Sequence, residues 1–124
     1  CFSATAEWKL HSDYEVVPGK ETSRSFLEFS NGSQVYKYQP AQLPYGLDSE
    51  EKVVLENKTY FLTGWAHGAA TVMFRVFEPE SSKGKPICEM ISRLETAKLR
   101  LDGKKVQMEV LLPASSAPQW VSCK

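Results

Sequence analysis

Two histidines, three cysteines and fifteen carboxylates have the widest chemical repertoire in this chain, and their spacing suits no catalytic pattern. A nucleophilic Ser or Cys needs a base beside it and a third group that orients the base. His11 and His67 stand in no such motif. His67 falls beside Gly68 in a predicted hairpin turn, where it reads as a solvated turn residue. His11 is the polar end of an amphipathic strand. Glu50 and Glu51 are sequence neighbours, so on any regular element they point apart and do not form an acid–base pair. Asp48 ahead of them reads as a helix-capping turn. The 7 glycines are scattered singly, which leaves no loop to cradle a phosphate. There is neither a CxxC nor a Cys/His cluster, so no metal and no cofactor is expected, and the chain does not read as an enzyme.

Recognition is the other chemistry on offer. Trp8, Trp65, Trp120, Tyr36, Tyr38 and Tyr45 have flat faces for stacking, and Arg75 and Gln42 can hydrogen-bond. The candidates concentrate in a predicted hairpin of strands 59–66 and 71–77, turning at His67-Gly68-Ala69. A three-residue loop there sets Gly64 opposite Val72, Leu62 opposite Phe74 and Tyr60 opposite Val76, an apolar face that must be core. The other face carries Phe61, Thr63 and Trp65 beside Met73, Arg75 and Phe77. A hairpin apolar on both faces is either sandwiched between two layers, the commoner arrangement, or presents its second face to a ligand or partner. The candidate binding residues are therefore Phe61, Trp65, Arg75 and Phe77 on that face. Tyr36, Tyr38 and Tyr45 form a separate tyrosine edge.

Fifteen basic and fifteen acidic side chains cancel with no long run of one sign, so no basic footprint for nucleic acid or an anionic membrane is present. No apolar run approaches a membrane span. Of the cysteines, Cys88 and Cys123 can pair in an oxidising compartment and pin the last strand, leaving Cys1 odd; Cys1–Cys123 pairing and a buried free thiol are the other readings. A chain beginning with Cys resembles a mature bacterial lipoprotein, whose first residue carries the lipid, which makes Cys1 a candidate attachment point. The location expected is extracytoplasmic: secreted, periplasmic or lipid-anchored. Asn31-Gly-Ser33 and Asn57-Lys-Thr59 match the N-glycosylation pattern in predicted turns.

The elements that must position these residues change rhythm along the chain. Up to about Pro79 the pattern has period two. Residues 5–10 alternate, with Ala6, Trp8 and Leu10 on one side; strands 25–30 and 34–39 flank Asn31-Gly32, a strong hairpin signal; strand 52–55 turns at Glu56-Asn57-Lys58 into 59–66. Over 87–101 the pattern fits period 3.6: Ile87, Met90, Ile91, Leu94, Ala97 and Leu101 share a stripe, Pro86 precedes it and Gly103 follows it. An amphipathic helix is expected there, covering one face of the sheet. The rival is a hairpin joining 97–101 to 104–108 through Asp102-Gly103, with Leu99 opposite Val106. Strands over 105–112 and 119–123 finish the chain. The apolar share, 42%, is enough to fill a core, and no linker is visible, so residues 1–124 read as one domain.

Residues 53–77, VVLENKTYFLTGWAHGAATVMFRVF, resemble the central hairpin of jelly-roll carbohydrate-binding modules, in which a strand bearing a Tyr and a Trp enters a Gly-bearing turn. The likeness spans about a fifth of the chain. The helix expected over 87–101 departs from that nearly all-β pattern, so no binding residue is carried over from it. The fold expected is α+β: an antiparallel sheet curled into a sandwich or partial barrel with one packed helix, the alternative being an all-β jelly-roll-like sandwich. The function expected is non-enzymatic binding of another protein, as by an inhibitor, immunity protein, adaptor or assembly lipoprotein. A glycan or small apolar ligand is the second reading.

Overall fold

The structure is a computed structural model, which describes residues 7–16, 19, 23–39 and 47–123. Cys1 and Tyr45 lie outside the described residues, as does Gln42. Among the described residues, ten strands and one short helix follow one another, the strands in three antiparallel sheets, each a contiguous meander. The first holds β1 (Lys9–Val16), β2 (Ser23–Ser30) and β3 (Val35–Tyr38). The second holds β4 (Ser49–Leu55), β5 (Lys58–Gly68), β6 (Thr71–Phe77) and β7 (Pro86–Ser92). The third holds β8 (Lys98–Asp102), β9 (Lys105–Val110) and β10 (Gln119–Ser122). The only helix among the described residues, α1, is the single turn Pro79–Ser82, and none of the three sheets closes into a barrel.

Short turns set the registers. Asn31 Oδ1 accepts from the backbone N–H groups of Ser33 at 3.1 Å and Gln34 at 2.7 Å, fixing the four-residue connection from β2 to β3. Glu56 and Asn57 are both left-handed (φ 47° and 66°), which makes a two-residue hairpin turn. The β5–β6 turn is Ala69-Ala70, also left-handed at both positions (φ 51° and 58°), with an irregularity between Ala66 and Gly68. Leu62 therefore pairs with Val76 and Gly64 with Phe74, two residues away from the expected register. A slip of two leaves every side chain on its expected face, because side chains alternate with period two.

The four-stranded sheet is apolar on both faces because both are covered. Tyr60, Leu62, Phe74, Val76 and Cys88 pack with Val106, Met108 and Val110 of the third sheet. Phe61, Trp65 and Phe77 pack on the opposite face with Leu27 and Phe29 of the first sheet and with Trp8 just ahead of β1. Cys88 and Cys123 are disulfide-bonded, tying β7 to the residue after β10.

No helix runs over 87–101, and that expectation is corrected: the segment is β7, a connection, and β8. Its apolar stripe fits 3.6 residues because β7 lies in the doubly covered sheet. Cys88, Met90 and Ser92 oppose Val76, Phe74 and Val72 on one face, while Glu89 and Ile91 share the other with Arg75 and Met73; Ile87, at a register shift, packs with the Val76 and Cys88 cluster. Apolar side chains on both faces blur the alternation that marks a half-exposed strand. The rival hairpin is present in a different register, Leu101 opposite Val106 and Leu99 opposite Met108, because Gly103 (φ 63°) and Lys104 form the turn. Asp48 starts no helix either. Ser49–Leu55 is strand, and Glu50 and Glu51 do point to opposite faces of it.

Candidate functional site

Two groups of aromatic residues, separate in the sequence reading, come together between the first and second sheets. Tyr36 and Tyr38 oppose Phe29 and Leu27, which puts them on the inner face of edge strand β3. The Tyr36 ring stacks with Trp8 at 5.8 Å, and the Tyr38 ring meets Phe77 edge-on at 5.0 Å. Phe29 joins Phe77 at 4.8 Å and Phe61 at 5.5 Å. Phe61, Trp65 and Phe77 are 3%, 4% and 0% exposed, so none of the three presents a flat face to solvent. First-sheet side chains occupy the ground where a stacked sugar would lie.

What reaches the surface is the rim. The Arg75 guanidinium lies 4.7 Å from the Trp65 ring and 5.8 Å from the Tyr38 ring, and its Nε–H donates to Glu89 Oε2 at 3.0 Å. The guanidinium is thus held by two π faces and an ion pair at once, with 13% of its side chain exposed. Burial raises the pKa of the Tyr38 hydroxyl; Arg75 opposes the rise and Glu89 adds to it. Half-buried Tyr36, Met73 and Ile91 continue this rim. The Trp65 indole Nε1–H is buried with no hydrogen-bond acceptor among the described residues. Glu89, the residue that fixes Arg75, has no signal in the sequence. It arrives opposite Arg75 only through the β6–β7 pairing.

A second polar–aromatic array lies on the outer face of the third sheet. Arg100 Nε–H donates to Gln107 Oε1 at 2.7 Å, Gln107 Nε2–H donates to Ser122 Oγ at 3.1 Å, and the Arg100 guanidinium covers the Trp120 ring at 4.1 Å. Its donors and its ring face are spent on one another. That is how an antiparallel sheet finishes a solvated face.

His11 is exposed, 3.5 Å from Asp13, and His67 is exposed in β5. No three His, Cys, Asp or Glu side chains cluster in metal-binding geometry among the described residues. No helix of the described residues is long and apolar enough to cross a membrane. Comparison with protein-family models, with characterised proteins and with solved structures finds nothing that matches this chain.

Proposed function

We propose that this is a non-enzymatic, extracytoplasmic binding domain whose partner is another protein, met at the Tyr36, Tyr38 and Arg75 rim. One observation carries the reading: a guanidinium locked between Trp65 and Tyr38 and anchored by Glu89 beside half-buried tyrosines. Tyr, Trp and Arg dominate the energetics of protein interfaces, and a pre-ordered arginine loses little conformational entropy when a partner docks. The Cys88–Cys123 disulfide suits an oxidising compartment, in keeping with a secreted or envelope location. The burial of Phe61, Trp65 and Phe77 weighs against the glycan reading on this face, since stacking needs an open ring.

The test is quantitative affinity enrichment from the source organism's extract with wild type, Tyr38→Ala and Arg75→Met, each first checked for native thermal unfolding. A protein retained by wild type and lost by both variants supports the proposal. In calorimetry on the purified pair, each variant should then weaken binding by about tenfold or more, as loss of an interface anchor does. If every captured protein is held equally by all three, the rim is not the binding surface.

A further inference from the structure

A hollow of 330 Å³ lies between the second and third sheets, at the tips of the β4–β5 and β8–β9 hairpins. Leu55, Lys58 and Tyr60 line it from one sheet, and Leu101, Gly103 and Lys104 from the other. Strand alternation agrees with that lining. Leu55 opposes Lys58 and Val53 opposes Tyr60, and Val53, Leu55, Tyr60 and Leu101 all belong to the core that these two sheets share. Small-molecule pockets begin at about this volume, with apolar walls and a few placed polar groups.

Tyr60 is the placed polar group. It is 3% exposed and its ring packs in the core, yet its hydroxyl has no hydrogen-bond partner among the described residues. The other buried hydroxyls of this sheet do bond to backbone: Thr63 Oγ1 donates to the Arg75 carbonyl, and Ser92 Oγ accepts from the N–H groups of Leu94 and Leu111. A tyrosine hydroxyl carried this deep ordinarily finds a partner too, because leaving it unpaired costs free energy. That of Tyr60 is left with the hollow.

Charge around the hollow cancels. Lys58 Nζ stands 3.8 Å from Glu78 Oε1, and at the rim Lys104 is matched by Glu56. An ionised ligand would lose hydration there with no net charge to attract it. An uncharged oxygen has far less hydration to lose, and Tyr60 can bond to it as donor or acceptor.

We propose that this hollow binds a small uncharged molecule, an apolar body carrying one hydroxyl or carbonyl oxygen. The oxygen hydrogen-bonds to Tyr60, and the body lies against Leu55 and Leu101. Tyr60 and Arg75 serve opposite faces of the second sheet, so this site stands or falls without the rim.

The test is titration of the whole domain, isotope-labelled, with cyclohexylmethanol. Cyclohexanecarboxylate and cyclohexylmethylamine are the controls, keeping the apolar body and changing the charge. Amide shifts centred on residues 55–60 and 101–104 are expected, saturating by about 10 mM, with both charged probes bound more weakly. Tyr60→Phe keeps the buried ring and should weaken the alcohol by about threefold to tenfold, the worth of one hydrogen bond. Leu55→Trp should abolish binding by filling the hollow with its own side chain. Arg75→Met should leave it unchanged, which separates this site from the rim. Equal affinity for Tyr60→Phe would reduce the hollow to plain apolar surface and overturn the proposal. So would a charged probe bound as tightly as the alcohol, shifts centred elsewhere, or no saturation by that concentration.

Discussion

At the scale of single residues, backbone positions carry more consequence here than reactive groups. Ala69 and Ala70 both hold left-handed φ in a turn whose geometry favours Asn and Gly. Replacing them with Asn and Gly relieves two alanines of a conformation that costs about 1–2 kcal/mol each. The double variant should unfold at higher urea, with an unchanged slope. Gly84→Ala should do the reverse, losing about 1–3 kcal/mol as the new methyl pushes the 83–85 turn off the Lys37 backbone. Ionisation makes a third prediction. Burial raises the pKa of Tyr38 and Tyr60, and for Tyr60 the carboxylates of Glu78 and Glu56 add to the rise. A raised folded-state pKa means that the folded chain holds those protons more tightly than the unfolded chain. Stability on this account is intact below the usual tyrosine value near pH ~10 and falls as pH rises through the raised values. Tyrosinate absorbance followed alongside denaturation should show the fall, and Tyr60→Phe should make it shallower. None of this was legible residue by residue, since it depends on what stands opposite each group.

At the scale of elements, the hairpins were readable and the segment 87–101 was not. Asn31-Gly32 and Asn57 announce their turns because Asn and Gly tolerate the backbone the turns require. The β5–β6 faces were legible too: alternation assigns Phe61, Thr63 and Trp65 to one side whatever the register. Ile87, Met90 and Ile91 fit period 3.6 and alternate poorly, and it is pairing with β6, remote in sequence, that makes their segment a strand. Far-ultraviolet circular dichroism provides the check, since the spectrum should be that of β structure with only the single turn Pro79–Ser82 helical. The disulfide works at this scale as well. It closes a loop of 35 residues between β7 and the chain beyond β10, so a Cys88→Ala/Cys123→Ala variant should lose about 3–4 kcal/mol. If the variant unfolds at the wild-type denaturant midpoint, the third sheet is held by its packing alone.

At the scale of the molecule, the second sheet decides the outcome, because it is covered on both faces. Phe77, fully buried against Phe29 and Tyr38, should cost about 3–5 kcal/mol when cut to Ala. Acrylamide should quench Trp120, which is half-buried, far more than Trp8 or Trp65, which are 5% and 4% exposed. Strong quenching that disappears in Trp65→Phe would instead mean that the first sheet leaves that face open. The sequence by itself determined that the chain is rich in antiparallel strands, where most of them turn, which side chains share a face, and that Cys88 and Cys123 can bond. Those properties are local, set by alternation and by the conformational limits of single residues. Only the tertiary structure decided that the aromatic face of β5 and β6 is buried, that residues 87–101 are strands, and that Glu89 holds Arg75 between two rings. Each of these turns on which distant segment supplies the neighbouring strand or the covering sheet, and alternation within one segment carries no information about that.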